Sequence, residues 1–177
     1  MKVIRLVILI VLALAPLQVS ADRTIEAPKA PKLSNGADSM EELIDRFLRA
    51  LKRGDRQALR DVRVSKAEYL RIVLPGFVPP GQPLKRYPST MRRWAWDNLN
   101  TKSMFYESLF LNTLGGKHLT VDRFDYREGG GHQFALYTGH RQLELFVRDA
   151  TGEEHEVETG SVVERDGKYK FISFIRE

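Results

Sequence analysis

Histidine is the side chain best suited to acid–base chemistry near neutral pH, and this chain has four. None of His118, His132, His140 and His155 forms an HxH or HxxxH pair. A metal site needs several converging ligands and the chain has no cysteine, so we predict no metal centre. His140 lies within a run typical of a strand, so it is the candidate catalytic base if it faces a cavity. Ordinary surface or turn positions are the favoured interpretation of the histidines.

The carboxylates do not form a catalytic pair either. Asp97 and Glu107 are ten residues apart on a predicted helix, which separates them by about 15 Å along its axis. We expect both to be solvated, and Asp122 and Asp125 show no pairing. The chain has no G-x-S-x-G sequence, and the three glycines at residues 129–131 lack the lysine of a phosphate loop. The sequence therefore predicts no cofactor and contains no catalytic signature.

Aromatic side chains give the better candidate site. Ligand pockets are mostly apolar, with a few polar groups that fix orientation. We predict that five aromatic residues line a cavity between a long helix and a sheet, where Arg141, with Arg92 and Arg93, can meet the anionic end of a ligand. The same aromatics can instead fill the core or form a partner surface, because Trp, Tyr and Arg favour interface centres. The five aromatic residues are Tyr69, Trp94, Trp96, Tyr106 and Tyr137.

Composition limits the class of protein. The 177 residues include no cysteine, so the fold has no disulfides and needs a sizeable hydrophobic core. The net charge of +5 falls to +3 if Lys2 and Arg5 are removed with a signal peptide. The remaining basic residues alternate with acidic ones instead of forming one basic face, which argues against a nucleic-acid partner.

The amino-terminus resembles an export signal. Lys2 and Arg5 precede an apolar run at residues 6–17, and small residues at 19–21 predict cleavage before Asp22. The run is about twelve residues long, whereas a membrane-spanning helix needs about 20. We therefore predict a signal peptide at residues 1–21, export to the periplasm or the exterior and no stable membrane anchor; an uncleaved anchor is the alternative.

The domain boundaries follow from composition. Residues 22–38 contain two prolines and no apolar periodicity, so we expect a flexible leader there, followed by one domain at residues 39–177. Its first half has helix signals: Ser39 with Glu42, Asp55, and Ser65 with Glu68 are typical N-caps. Gly54 predicts the end of the first helix, and Pro75 that of the third. After a proline-rich loop, the longest helix runs from Ser89 to Gly115. It is apolar on more than one side, which predicts burial between two layers.

The second half changes to a strand period. We predict strands at residues 118–127 (with a bulge near Asp122), 133–149 (with a break at Gly139), 154–165 and 168–176. Asp166-Gly167 is a strong hairpin signal because both positions tolerate positive φ. Helices followed by an antiparallel meander indicate an α+β fold with helices packed on one face of a curved sheet.

This order resembles the nuclear transport factor 2-like (cystatin-like, SnoaL-like) superfamily. The resemblance rests on the amphipathic opening helix at residues 39–53 and on the closing hairpin GSVVERDGKYKF at residues 160–171. It implies a cone-shaped α+β domain whose sheet is often used for dimerisation. Members include isomerases, dehydratases, ligand binders and non-catalytic partner domains. The enzymes use an acidic residue or a histidine in the mouth of the cone.

Together these observations predict an exported, non-catalytic domain. It would bind a small apolar or amphipathic ligand in the cone, or another exported protein through the sheet, and homodimerisation is a further expectation. The alternative is a cofactor-free, isomerase- or dehydratase-like enzyme with His140 or a carboxylate as its base.

Overall fold

The computed structural model describes residues 31–127 and 129–175. The predicted signal peptide and residues 22–30 of the predicted leader lie outside this part. Over the described residues the chain is an α+β domain of helices and antiparallel strands, which confirms the α+β part of the prediction. None of the described helices combines the length and the apolar character needed to cross a membrane.

The helices and strands occur in separate halves of the chain. The helices are α1 (Met40–Arg53), α2 (Arg56–Asp61), α3 and α4 (Ser89–Leu114). α3 is continuous and has three parts: Lys66–Glu68, the π-helical Tyr69–Val73 and Leu74–Gly76. The strands are β1 (Thr120–Tyr126), β2 (His132–Gln133), β3 (Thr138–His140), β4 (Leu143–Arg148), β5 (Glu154–Glu158), β6 (Val162–Arg165) and β7 (Lys168–Phe171).

Local capping chemistry sets the starts of α1, α2 and α3, as the sequence predicts. The Ser39 hydroxyl accepts a hydrogen bond from the Glu42 N–H at 3.1 Å, and the Asp55 carboxylate accepts from the Ala58 N–H at 2.9 Å. Ser65 and Glu68 form a complete capping box. Gly54 ends α1 with φ of 65°, a left-handed conformation that favours glycine. The third helix was predicted to run to Leu74 and end at Pro75, but α3 continues through Pro75 to Gly76, two residues further.

The strands form two antiparallel sheets instead of the single curved sheet that we expected. A three-stranded sheet has the order β1-β4-β5, and a four-stranded sheet has the order β2-β3-β6-β7. The predicted bulge is confirmed, since the β1 register shifts between Val121 and Arg123. The turn at Asp166-Gly167 is also confirmed, with φ of 52° and 70°. The predicted break at Gly139 is wrong, because Gly139 lies inside β3. The chain leaves this sheet after His140, and Gln142, just before β4, has a φ of 49°.

Both faces of the four-stranded sheet are covered, which corrects the expectation of helices on one face only. Successive side chains of a strand point to opposite faces. Val162 therefore joins a core with Phe47 of α1, while Val163 joins a second core with Ile72 of α3. The larger first core lies between α1, the carboxy-terminal part of α4 and both sheets.

The domain begins earlier than residue 39. Leu33 is buried in the second core, and Ala37 exchanges two backbone hydrogen bonds with Tyr169 of β7, at 3.0 and 2.9 Å. Residues 33–38, predicted as part of a flexible leader, therefore pack on the domain.

One face of α4 is buried and the other is not. Ser103, Glu107, Phe110 and Leu114 are buried, and their spacing of four, three and four places them on one side. The large apolar residues on other sides of the helix remain exposed, with 68% of Trp94 and 66% of Phe105 accessible. The prediction that α4 is buried between two layers is therefore wrong: in a single copy of the chain, only one side of α4 is covered.

A buried ion pair joins three segments that are distant in sequence. Lys170 Nζ on β7 lies 3.1 Å from Glu68 Oε2 on α3, and both side chains are about 95% buried. Glu68 also accepts hydrogen bonds from the Ser34 and Ser65 N–H groups, each at 2.6 Å, and Lys170 donates to the Ser34 carbonyl at 2.9 Å. Burial by itself raises the pKa of Glu68, but these hydrogen bonds and the Lys170 charge outweigh it and hold the pKa below its usual value.

We expect Lys170→Met to lower the free energy of unfolding at pH 7 by about 3 kcal/mol, because it leaves the Glu68 carboxylate buried without its cation. Lys52→Met, on the exposed face of α1, is the matched control and is expected to change it by less than about 0.5 kcal/mol. Urea unfolding of both variants measures the difference. A loss below about 1 kcal/mol for Lys170→Met would show that the pair does not hold these segments together.

Candidate functional site

A cavity of about 340 Å³ lies between α4, α3 and the four-stranded sheet. Tyr69 and Val73 of α3 form one wall, Leu99 of α4 forms the second, and Tyr137 and Arg141 beside β3 belong to the third. The cavity is thus the place where the second core, which holds Tyr137 and Val73, opens to the surface.

Strand alternation and one glycine shape the sheet wall. Tyr137, Gly139 and Arg141 are two residues apart, so they share one face of β3 and its flanks. A Cβ on Gly139 would lie 2.7 Å from Cε2 of Phe134, which is closer than real contacts. The missing side chain therefore lets the Phe134 ring lie over the strand, where its centroid is 5.0 Å from that of Tyr137.

Further aromatic contacts continue the walls. Phe77, in the loop after α3, stacks on Phe134 with centroids 4.9 Å apart. On the helical side the Tyr69 ring lies 5.8 Å from Trp96. Such ring pairs contribute about 0.5–1.5 kcal/mol each beyond the area that they bury, so the walls are packed surfaces with defined geometry.

The polar side chains of the cavity are three phenols (Tyr69, Tyr87 and Tyr137), one guanidinium and two serine hydroxyls. Burial raises the pKa of Tyr137 far above its usual range. The pKa of Tyr69 is also raised, mainly by burial and to a smaller extent by the neighbouring Tyr87. The Tyr69 and Tyr137 phenols therefore stay protonated at neutral pH and can donate hydrogen bonds. Arg141 carries the positive charge, and Ser161 and Ser173 also line the cavity.

The structure brings together three of the six predicted pocket residues: Tyr69, Tyr137 and Arg141. Trp96 supports the site through Tyr69 but is not among the lining residues. Trp94 is exposed elsewhere on α4, since residues two apart on a helix point about 200° apart. Tyr106 lies far along α4, where it packs on the first core beside Phe110.

Sequence reasoning missed several lining residues. Tyr87 and Phe77 come from the irregular segment between α3 and α4, where no periodicity predicts the direction of a side chain. The sequence pattern places Leu99 on the long helix but does not say which face of the helix it occupies. Its position three residues after the half-buried Trp96 was the available signal, because residues three apart share a helix face.

His140 lies on the opposite face of the sheet from the cavity. Its ring stacks on Tyr126 with centroids 5.3 Å apart, and Nε2 is 2.8 Å from Glu164 Oε2. It pairs with Val162, whose side chain belongs to the first core, whereas Gly139 and Tyr137 face the cavity. The predicted base and the predicted pocket are therefore separated by the sheet itself.

Glu107 is fully buried, which corrects its predicted solvated position. Its carboxylate lies 3.1 Å from Arg56 Nη1 and 3.5 Å from Arg60 Nε. The nearby Arg63 is buried over the Phe174 ring, and burial lowers the pKa of Arg63 to about 10. Arg56 and Arg60 of α2 thus balance the negative charge of Glu107 on α4, and these ion pairs hold the two helices together. Asp97 is exposed, as predicted.

Within the described residues, one group of three side chains has the spacing of possible metal ligands: Asp149, Glu153 and His155. The Asp149 carboxylate already accepts hydrogen bonds from Thr151 and from His155, and Lys117 Nζ lies 3.7 Å from it. Hydrogen bonds from Thr151 and His155 hold the pKa of Asp149 well below its usual range. The neighbouring ammonium disfavours a second cation, so this group is a capped turn between β4 and β5.

Comparisons of the chain with protein-family models, with curated proteins and with solved structures found no match.

We expect Gly139→Ala to destabilise the domain by about 1–3 kcal/mol, because the new methyl group must displace the Phe134 ring from the strand. Gly130→Ala is the matched control, since a Cβ there has no atom within 4 Å and its change should stay below about 0.5 kcal/mol. Thermal unfolding of the two variants makes the comparison. Equal losses of stability in the two variants would mean that the position of the Phe134 ring does not require a glycine at residue 139.

Proposed function

We propose that this domain is a non-catalytic binding protein for a small amphipathic ligand with an apolar body and an anionic end. The observation that carries the proposal is the convergence of Tyr69, Tyr137, Leu99 and Arg141 on one cavity between α4 and the four-stranded sheet. Apolar walls with a few placed polar groups are typical of small-molecule sites.

The dimensions of the cavity favour a small ligand. Ligand sites range from about 300 to 1,000 Å³, and this cavity of about 340 Å³ is at the low end. The rings of Phe77, Phe134 and Tyr137 offer flat apolar surfaces for the ligand body.

Charge gives the ligand an orientation. Arg141 borders the cavity next to Tyr137, so a carboxylate or sulfonate placed there would meet a guanidinium and a protonated phenol. Hydrogen bonds between ionised partners are about twice as strong as those between neutral groups. The anionic end would therefore lie toward Arg141, and the body toward Tyr69 and Leu99.

The fold family and the location of the protein belong to the same proposal. The capped opening helix α1 and the hairpin of β6 and β7 support a nuclear transport factor 2-like domain. The charged, apolar and small-residue segments at residues 1–21 support export with cleavage before Asp22. An exported domain of this kind would hold its ligand outside the cytoplasm.

The enzymatic alternative has less support. A base must reach the proton that it removes, and His140 is on the other side of the sheet from the cavity. Glu107 is buried where α2 packs on α4, and Arg56 and Arg60 hold its carboxylate there. Neither His140 nor Glu107 lines the cavity, and the other weighed carboxylates, Asp97, Asp122 and Asp125, are not among its lining residues either.

Anilinonaphthalene sulfonate is a suitable probe, because it combines an aromatic body with an anionic group. We expect Arg141→Met to weaken its binding about tenfold, which corresponds to the loss of one charge-assisted contact. Leu99→Trp should abolish binding because the larger ring fills the cavity. Met91→Trp, on the exposed face of the same helix, introduces the same side chain outside the cavity and should leave the affinity unchanged.

Fluorescence titration measures these affinities, with thermal unfolding to establish that each variant is folded. Equal affinities for the folded wild type, Leu99→Trp and Met91→Trp would overturn the proposed site. His140→Ala should bind like the wild type; loss of probe binding in that folded variant would contradict the separation by the sheet.

A further inference from the structure

The exposed face of α4 carries a second feature, which the proposed ligand site does not use. Met91, Trp94, Met104, Phe105 and Leu109 all have a large part of their side chains exposed. They lie on one 26-residue helix whose opposite side is packed in the core. We call these five residues the α4 stripe.

The side of α4 that carries the α4 stripe follows a heptad pattern. Met91, Trp94, Asn98, Thr101 and Phe105 are spaced by three and four residues, which are the a and d positions of a two-stranded coiled coil. Met104 then occupies a g position and Leu109 an e position, and these positions flank the a/d seam. All five members of the α4 stripe are therefore at positions that a second helix would cover.

We propose that α4 pairs with α4 of a second copy of this chain, parallel and in register. In that arrangement each g residue meets the e residue five positions later on the other helix. Asp97 then faces Lys102 of the second copy, and Met104 faces Leu109 of the second copy. By symmetry each contact occurs twice.

The chemistry of these flanking pairs selects the parallel arrangement. Asp97 and Lys102 are both exposed and have opposite charges, whereas Met104 and Leu109 are both apolar. In an antiparallel pair, g residues meet g residues and e residues meet e residues. Asp97 would then face the apolar Met104, and no opposite charges would meet. The parallel register matches charge with charge and apolar with apolar.

Asn98 agrees with the same register. Asn at an a position is a known device that fixes the register of a two-stranded coiled coil, because the two amides hydrogen-bond to each other when buried. Here Asn98 would meet Asn98 of the second copy, between the Trp94 and Thr101 layers.

The exposed area is sufficient for a dimer. Trp94 and Phe105 are about two-thirds exposed, and the five residues of the α4 stripe together expose on the order of 500 Å². A standard interface buries about 800 Å² on each partner, of which about 450 Å² is apolar. A membrane surface is less suited to this helix, because Asp97, Asn98 and Thr101 interrupt the apolar face.

Charge reversal tests the pairing and its direction. We expect wild-type protein to dimerise at micromolar concentration, and Asp97→Lys or Lys102→Asp to raise the dissociation constant about tenfold through like-charge contacts. The double variant, with both charges exchanged, should return to within about threefold of the wild type. Sedimentation velocity measures the dissociation constants, and thermal unfolding of the exposed-site variants establishes that they are folded.

The apolar contribution has a matched control. Leu109 and Leu84 are 42% and 39% exposed, but only Leu109 is in the α4 stripe. Leu109→Glu should weaken the dimer at least tenfold, and Leu84→Glu should not. A monomeric wild type, a double variant as weak as the single variants, or binding of the monomer to anionic vesicles through Trp94 would each overturn the proposal.

Discussion

The buried ion pair between Glu68 and Lys170 is the interaction on which the rest of the described structure depends. It joins α3 to β7, and through Ser34 it also joins the amino-terminal segment to both. The next residue after Glu68 is Tyr69, which forms a wall of the cavity. The pair therefore links the helix that forms one wall of the cavity to the sheet that forms another. Because a buried charge without its partner is costly, this contact also specifies one arrangement of the three segments.

The four-stranded sheet gives the two faces of the domain different environments. One face packs on α1 and holds His140 against Tyr126 and Glu164. The other face packs on α3 and opens into the aromatic cavity beside Arg141. Strand alternation alone produces this division, because neighbouring residues of β3 point in opposite directions. α4 adds a third surface, because the apolar residues on its outer side point to solvent and not into either core.

Local signals in the sequence predicted much of this fold, and longer-range relations account for the errors. The caps at Ser39, Asp55 and Ser65 and the turn at Asp166-Gly167 depend on neighbouring residues, so the sequence alone identifies them. The division into two sheets depends on which distant strands pair, and no local pattern encodes that choice. For the candidate site, Tyr69, Tyr137 and Arg141 were predicted together. Trp94 was misplaced because its aromatic character was taken as evidence of burial within one chain.

Native mass spectrometry of the protein purified from the cells that produce it detects a ligand in the cavity without a chosen probe. We expect a small anionic, apolar molecule that remains bound under gentle conditions and is released on denaturation. We also expect that Leu99→Trp, produced in the same way, carries no such molecule, because the new ring fills the cavity. Wild-type protein without a retained molecule, or a molecule retained equally by both proteins, would show that this cavity is not a ligand site.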